Sequence, residues 1–349
     1  MAAYTTIDDP SLYFDTLSYT GDMSTDRDIT GLGFQPDFVW VKNRATTNYH
    51  NIKDSVRGTS VVIFANNSDA EISDSDRVTA FLSNGFTVSN SADTNGSGNS
   101  MVAWCWKAGT TSGITTTSST ITHIGYSFNQ TSGFSIVRYH GNETAGAKIP
   151  HGLAQKPAMI ILKNLNNTEQ WCVYHHKNTS APATDYLLLD VNSATADDNT
   201  IWNDTEPDTV NVTLGGDDIV NKNGEDLVGY IFAEKQGYSK FGSYSGNNNS
   251  NGPMIWTGMK PAFVMTKKSD GTDNWILFDN KRSPFNPVDD QLYADLPDAE
   301  ADANAVDFLS NGFKFRGNGG GYNGNNDYIY MAFAEAPFVN SNGVPCNAR

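Results

Sequence analysis

The stretch GFQPDFVWVKNR at residues 33–44 is the most informative part of the sequence, because its pattern occurs twice more along the chain. It returns as AQKPAMIILKNL at 154–165 and as GMKPAFVMTKKS at 258–269. In each stretch an apolar run lies between a proline and a lysine. Such a run, opened by a proline that has no N–H to donate, is typical of a strand buried on both faces. The three recurrent lysines are Lys42, Lys163 and Lys267.

Other landmarks recur around this stretch in the same order. A Tyr-x-Gly motif precedes it each time, at 19–21, 139–141 and 244–246. An alternating strand ends each copy, and large residues at every second position place one aromatic face in a core. These residues are Val102, Trp104 and Trp106, then Val228, Tyr230 and Phe232, then Ile329, Met331 and Phe333. We therefore predict three diverged tandem copies of one unit.

The landmarks also set the boundaries of the copies. Residues 111–132 are rich in Ser and Thr, which suits either a linker or an extra exposed strand. Short β-type runs alternate with Gly, Asn, Asp and Ser clusters, which predicts an all-β fold of three tandem antiparallel β-sandwich repeats. The predicted repeats cover 1–110, 133–236 and 237–338, followed by a C-terminal tail at 339–349.

Length and local composition complete the fold prediction. A chain of 349 residues is long enough for several domains, each with its own core. Helix is scarce, but the acidic segments at 69–81 and 298–309 each predict a helical turn or two.

Charge and cysteine content exclude several classes of protein. The chain has 39 acidic against 23 basic residues, a formal net charge of −16, so we expect no nucleic-acid partner. No run approaches the ~20 apolar residues of a membrane span, and the amino terminus lacks a Sec-type signal. Cys105, Cys172 and Cys346 have no metal-site spacing and predict free thiols. We expect no cofactor.

Two sets of residues are candidates for binding. Trp171 and Trp275 follow two of the recurrent lysines, beside polar loops, where an indole either stacks on a sugar ring or packs in the core. The first copy has His50 at this position. The recurrent lysines themselves either extend along a sheet edge towards water or make a repeated binding contact.

A third set of candidates is acidic. Asp22, Asp26 and Asp28 are either weak calcium ligands or solvated loop acids. The acids that recur between copies, among them Glu71 and Glu300, lie inside the repeated frame, which favours a structural role for them. A glycosidase would need two positioned carboxylates in one cleft. We predict no catalytic residues and a non-enzymatic protein.

Several segments carry a resemblance to a known family. YTTIDDPSLYF, QPDFVWVKNR, VAWCWKAG, FAEKQGYSKFGSYSGN and YMAFAEAPFVNSNGVPCNAR resemble proteins of tailed bacteriophages of marine bacteria, including cyanophages. The resemblance covers essentially the whole chain. It implies concanavalin-like or jelly-roll-like β-sandwich domains on the exterior of a virion, and no established catalytic residues.

The expected function follows from the repeat and the resemblance together. We expect a structural virion protein, assembled in the host cytoplasm, that is either a tail appendage such as a fibre or receptor-binding tip, or a capsid decoration. Its expected partners are other virion proteins, further copies of itself and host surface polysaccharide. The alternatives are a carbohydrate-binding module and a glycan-degrading enzyme. The sequence leaves open whether the three repeats form a ring or a string.

Overall fold

Antiparallel strands form nearly all of the regular structure in the computed structural model, which describes residues 3–347. The predicted all-β, antiparallel, sandwich-type fold is confirmed. Residues 1–2 of the predicted first repeat and 348–349 of the predicted tail lie outside the described residues. None of the helices in the described part of the chain is long and apolar enough to cross a membrane.

The strands fall into three consecutive groups, which we call the first, second and third units. The first unit contains β1 (Phe14–Thr20), β2 (Arg27–Thr30), β3 (Phe38–Asn43), β4 (Asn51–Asp54), β5 (Gly58–Phe64), β6 (Ile72–Ser73), β7 (Val78–Leu82), β8 (Gly85–Val88) and β9 (Ser100–Trp106). The second contains β10 (His123–Asn129), β11 (Phe134–His140), β12 (Ala147–Pro150), β13 (Met159–Asn164), β14 (Cys172–His175), β15 (Asp185–Leu188), β16 (Ala196–Asp197), β17 (Asn211–Leu214) and β18 (Asp226–Phe232). The third contains β19 (Ser239–Ser245), β20 (Met254–Trp256), β21 (Met259–Lys268), β22 (Ile276–Asp279), β23 (Val288–Tyr293), β24 (Ala301–Leu309), β25 (Gly312–Phe315) and β26 (Asp327–Pro337). The helical elements are a 3-10 turn (Pro10–Leu12), α1 (Ala92–Asn95), α2 (Asn199–Trp202), α3 (Asp218–Asn221) and α4 (Gly320–Asn323).

Each unit builds a main sheet with one shared strand order. The order is β1-β9-β3-β4-β5 in the first unit, β11-β18-β13-β14-β15 in the second and β19-β26-β21-β22-β23 in the third. In every unit the strand that carries the recurrent lysine pairs with the last long strand. The tandem repeat stays a prediction from sequence, and the three main sheets share this strand order.

A second layer covers one face of each main sheet. In the first unit β2, β8 and β7 form this layer, in the second β12 and β17, and in the third β20, β25 and β24, which continue from the main sheet. Because successive side chains of a strand point to opposite faces, alternate residues of β3 face this layer. Val39 and Val41, for example, lie in one apolar cluster with Phe86 of β8.

The helical turns predicted in two acidic segments are wrong. Residues 69–81 contain β6 and the start of β7, and residues 298–309 contain β24. β7 pairs with β8, and β24 pairs with β25. In the second pair, Phe308 of β24 lies opposite Phe313 of β25. Tertiary pairing overrides the weak local helix preference of these segments.

The other faces of the three main sheets meet in one shared core. Trp106, Phe232 and Phe333, one from the last strand of each unit, lie at its centre. The ring centroids are 6.3 Å apart for Trp106 and Phe232, 5.5 Å for Trp106 and Phe333, and 6.1 Å for Phe232 and Phe333. We expected a separate core for each unit. This holds only for the apolar clusters between each main sheet and its second layer.

Backbone hydrogen bonds close the three units into a ring. Each runs from an N–H of one unit to a carbonyl of another: Glu71 to Leu165 at 2.9 Å, Thr195 to Ser269 at 2.9 Å, and Glu300 to Arg44 at 2.8 Å. The first unit thus donates to the second, the second to the third and the third to the first. The three units form a ring and not a string.

The Tyr-x-Gly motif has the same structural role in all three units. The tyrosine hydroxyl donates to a carbonyl in the short helix before the last strand, as Tyr139 does to Val220 at 2.7 Å. The glycine packs against the end of that helix, and a Cβ atom on Gly141 would lie 2.1 Å from the carbonyl oxygen of Lys222. A side chain there would overlap the backbone, so the motif fixes β1, β11 and β19 onto the short helix that precedes the last strand of each unit.

Residues 111–132 contribute an extra strand. β10 pairs with β11 and so covers the edge of the second main sheet. The strands that correspond to β11 in the other units, β1 and β19, are the outermost strands of their sheets. β10 therefore lies between the first and second units, and it makes this junction different from the other two.

Candidate functional site

The indoles of Trp171 and Trp275 do not reach the surface. They are 0% and 1% exposed. Trp171 Nε1 donates to the carbonyls of Phe64 at 3.0 Å and Asn67 at 3.1 Å in the first unit, and Trp275 Nε1 donates to that of Leu188 at 2.8 Å in the second. A ring without an exposed face cannot stack on a sugar, so the sugar-stacking interpretation is wrong for both residues.

His50 occupies the same position in the first unit. Its Nδ1 accepts a hydrogen bond from Trp40 Nε1 at 2.9 Å, and its ring faces the backbone of Tyr293 and Leu296 in the third unit. Burial, with smaller contributions from nearby cations, lowers the pKa of His50 well below its usual value. In the second and third units the tryptophan at this position bonds to a neighbouring unit.

The recurrent lysines also lie inside the molecule. Lys42, Lys163 and Lys267 are each 0% exposed, and their ammonium groups donate to backbone carbonyls. Two of these carbonyls belong to a neighbouring unit: Lys163 Nζ is 3.2 Å from the oxygen of Ser68, and Lys267 Nζ is 3.3 Å from that of Asn192. The lysines neither extend along a sheet edge to water nor form a surface binding contact, because the junctions enclose them.

These buried lysines predict an unusual pH dependence of stability. Burial lowers the pKa of each lysine from 10.5 to about 8. Between these two values the unfolded chain binds more protons than the folded chain, so the free energy of unfolding rises with pH, by roughly 1 kcal/mol per lysine up to pH 9. Urea denaturation between pH 7.5 and 9.5 measures this rise.

Two variants separate the lysine effect from general charge repulsion. Lys163→Met should show a smaller rise than the unmodified protein. Lys156→Met, at a lysine whose side chain is 44% exposed, should show the same rise. Identical profiles for the unmodified protein and Lys163→Met would contradict the assignment.

The three acids considered as calcium ligands do not converge. Asp22 accepts hydrogen bonds from Ser24 and Asn95, and Asp28 accepts one from Thr87 at 2.7 Å. Within residues 3–347, no group of three or more His, Cys, Asp or Glu side chains is placed to hold a metal ion. Asp22 accepts its hydrogen bonds in a loop, whereas Asp28 accepts its bond within β2.

Two of the acids that recur between the first and third units, Glu71 and Glu300, form ion pairs with fully buried arginines. Arg57 Nη1 donates to Glu71 at 2.9 Å, and Arg282 Nη1 donates to Glu300 at 2.8 Å. The predicted structural role fits Glu71 and Glu300, whereas Asp69 and Asp298 are exposed. The sequence reasoning missed the two arginines, although an Asp-x-x-Arg pattern recurs at 54–57 and 279–282.

An open cavity lies where the first main sheet meets β10, and we call it the junction cavity. Its volume is about 700 Å³. The corresponding junction between the third and first units, where no extra strand is inserted, holds about 270 Å³. The junction cavity is lined by residues of both units, among them Gln35, Asp37 and Lys107 from the first and His123, Ile124 and Tyr126 from β10.

Asp37 holds the two walls of the junction cavity together. Its Oδ1 accepts from the hydroxyls of Ser55 at 2.7 Å and Ser127 at 3.1 Å, and its Oδ2 accepts from the N–H of Ala108 at 2.9 Å. Burial raises the pKa of Asp37, partly offset by these hydrogen bonds. The carboxylate therefore has a positioning role.

His123 and Tyr126 of β10 border the junction cavity, and the ring of Tyr126 packs against an apolar cluster of the second unit. Their rings meet edge to face with centroids 4.6 Å apart. Nδ1 of His123 is buried and has no hydrogen-bond partner among the described residues. The sequence did not indicate this site, because it combines residues of the first unit with β10, which lies in a segment that does not recur.

The comparisons with known proteins give a family and no function. A family model described as a domain of unknown function, DUF7483, matches residues 9–337. No curated protein and no solved structure matched the chain.

Proposed function

We propose that this chain, which belongs to the DUF7483 family, is a non-enzymatic structural protein on the exterior of a tailed-phage virion. The observation that carries the proposal is the closed ring of three units around one aromatic core. The recurrent tryptophans and lysines hold these units to one another, as expected of a rigid building block.

Charge and sequence add to this proposal. The formal net charge of −16 favours solubility and opposes self-association on an exposed surface. The segments that resemble tailed-phage proteins extend over the whole ring. A ring of three similar units also presents three similar sets of loops, an arrangement that suits multivalent contacts. The proposed partners are other virion proteins and further copies of the chain.

Two positions on a virion fit such a block. One is a tail appendage, such as a fibre or receptor-binding tip, and the other is a capsid decoration. The test is cryo-electron microscopy of purified particles of a phage that encodes the chain, with particles from a deletion mutant as the control. We expect density for a three-lobed ring that is missing from the mutant. Absence of the chain from purified particles would overturn the proposal.

Carbohydrate binding is a second candidate function, and the junction cavity favours it. The enzyme alternative fits this cavity less well. A glycosidase needs a pair of carboxylates in one cleft, whereas Asp37 is held in place by three hydrogen-bond donors. We therefore propose a role in binding and not in hydrolysis.

A further inference from the structure

We infer that the side chains of Lys53 and Asp74 become joined by an amide bond. Lys53 lies in β4 of the first main sheet, and Asp74 directly follows β6. The bond ties this sheet to the segment that leads into the second layer of the first unit. It goes beyond the proposed function, because it forms within one chain and does not depend on where the protein is located.

Lys53 occupies a position that is aromatic in the other two units. In each unit this position lies opposite the corresponding residue of the strand that carries the recurrent lysine. It is Tyr174 in the second unit and Phe278 in the third, and both rings pack in the apolar cluster between the main sheet and its second layer. The side chains of Lys53 and Asp74 are both 0% exposed. The first unit therefore encloses an amine and a carboxyl where the other units have a hydrophobic core.

The two groups are held in contact. Lys53 Nζ donates a hydrogen bond to Asp74 Oδ2, so the carbon that the amine must reach, Cγ, lies one bond beyond the contact. Nζ also donates to the carbonyl of Thr59 at 2.5 Å, and Arg77 Nη1 donates to Asp74 Oδ1 at 2.5 Å. Fixing two reactants in contact replaces an encounter in solution by a step within one molecule, which accelerates it greatly.

The protonation states allow the reaction. Burial lowers the pKa of Lys53. Burial alone raises the pKa of Asp74, but hydrogen bonds from Lys53 and Arg77 outweigh it and lower this pKa, so the ion pair is the main form. The carboxyl of Asp76 hydrogen-bonds to that of Asp74, and this bond raises the pKa of Asp76. A proton shared by the two carboxyls supplies the minor neutral amine and acid, which is enough for a reaction that each chain undergoes once.

The step balances without any further reactant. The amine of Lys53 forms a bond to Cγ of the protonated Asp74, and the negative charge that develops on Oδ1 is stabilised by Arg77. One proton then moves from Nζ to the Oδ2 hydroxyl, with the carboxylate of Asp76 as its carrier. The Cγ–Oδ2 bond breaks, Oδ2 leaves as water, and Oδ1 becomes a carbonyl oxygen again. Nothing is oxidised or reduced.

The surroundings of the ion pair also satisfy the product. The N–H that remains on Nζ keeps the carbonyl of Thr59 as its acceptor, and Oδ1 keeps Arg77 as its donor. The charge of Arg77 stays balanced by Asp93, whose Oδ2 lies 2.9 Å from Nη2. Buried charges are costly even when they are paired. Replacing the buried ammonium and carboxylate by a neutral, hydrogen-bonded amide removes that cost.

Mass spectrometry of the purified full chain tests the bond. We expect the denatured protein to be lighter than its sequence by one water molecule. Trypsin does not cleave after a lysine whose side chain is an amide, so we expect the tryptic peptide 45–57 to be joined to the peptide 58–77. Fragment ions should place the link at Lys53 and Asp74. Recovery of 45–53 and 58–77 as separate peptides, in fresh and in stored protein, would overturn the inference.

Variants locate the bond and the proton carrier. Lys53→Met and Asp74→Ala should each have the full mass of their sequences. Lys156→Met, at a lysine whose side chain is 44% exposed, should still lose one water. Asp76→Asn should slow formation of the bond at least tenfold, and an unchanged rate would contradict the carrier role. A loss of water that persists in Lys53→Met would place the reaction elsewhere and overturn the inference. The mass and peptides of the unmodified protein decide whether the bond exists, even if a variant fails to fold.

Discussion

Replacing Trp106 by alanine is expected to lower the free energy of unfolding by about 3–5 kcal/mol. The indole is 1% exposed and lies at the centre of the shared core. Its ring contacts Phe14 of its own unit at a centroid distance of 4.7 Å, Phe333 of the third unit at 5.5 Å and Phe232 of the second at 6.3 Å. Close-packed side chains from three sheets cannot collapse fully into the space left behind.

Chemical denaturation followed by both far-ultraviolet circular dichroism and fluorescence measures this loss. Because one core serves all three units, the two signals should change together in the variant as in the unmodified protein. Trp256→Ala is the matched control. That indole is 53% exposed, and its loss should change the stability by less than about 1 kcal/mol. A small effect of Trp106→Ala, or separate transitions for separate units, would show that the units are independent.

The sequence was sufficient to predict the sheets but not what covers them. Val102, Trp104 and Trp106 alternate with residues of the opposite face, and this period shows correctly that the three share a buried face. A period of two carries no information about the layer that packs on that face. The prediction gave each unit its own core, whereas the aromatic faces of the three units pack on one another.

The same limit explains the candidate site. Trp171, Trp275 and Lys163 each donate to a carbonyl of a neighbouring unit, so their recurrence marked internal interfaces and not a binding surface. The junction cavity depends on β10, in a segment where sequence similarity between the units ends. The composition of that segment predicted an extra strand as one of two alternatives. Its position between two units could not be derived from composition.

Replacing Arg57 by methionine is expected to cost about 3–5 kcal/mol of stability. The side chains of Arg57 and Asp54 are both fully buried, with Nε and Oδ2 2.6 Å apart. Arg57 also donates to Glu71 at 2.9 Å, and the hydroxyl of Tyr230 in the second unit donates to Asp54 at 2.7 Å. Methionine has a similar length and no charge, so the variant leaves a buried carboxylate without its cation.

Urea denaturation of two further variants separates this cost from lost packing. Lys156→Met removes a cation from a pair whose side chains are 44% and 52% exposed, and it should cost less than about 1 kcal/mol. Adding Asp54→Asn to Arg57→Met should restore part of the stability, because an amide is less costly to bury than an unpaired carboxylate. If Arg57→Met cost no more than Lys156→Met, the buried pair would not stabilise the junction. If the double variant were no more stable than Arg57→Met, the loss would come from packing alone.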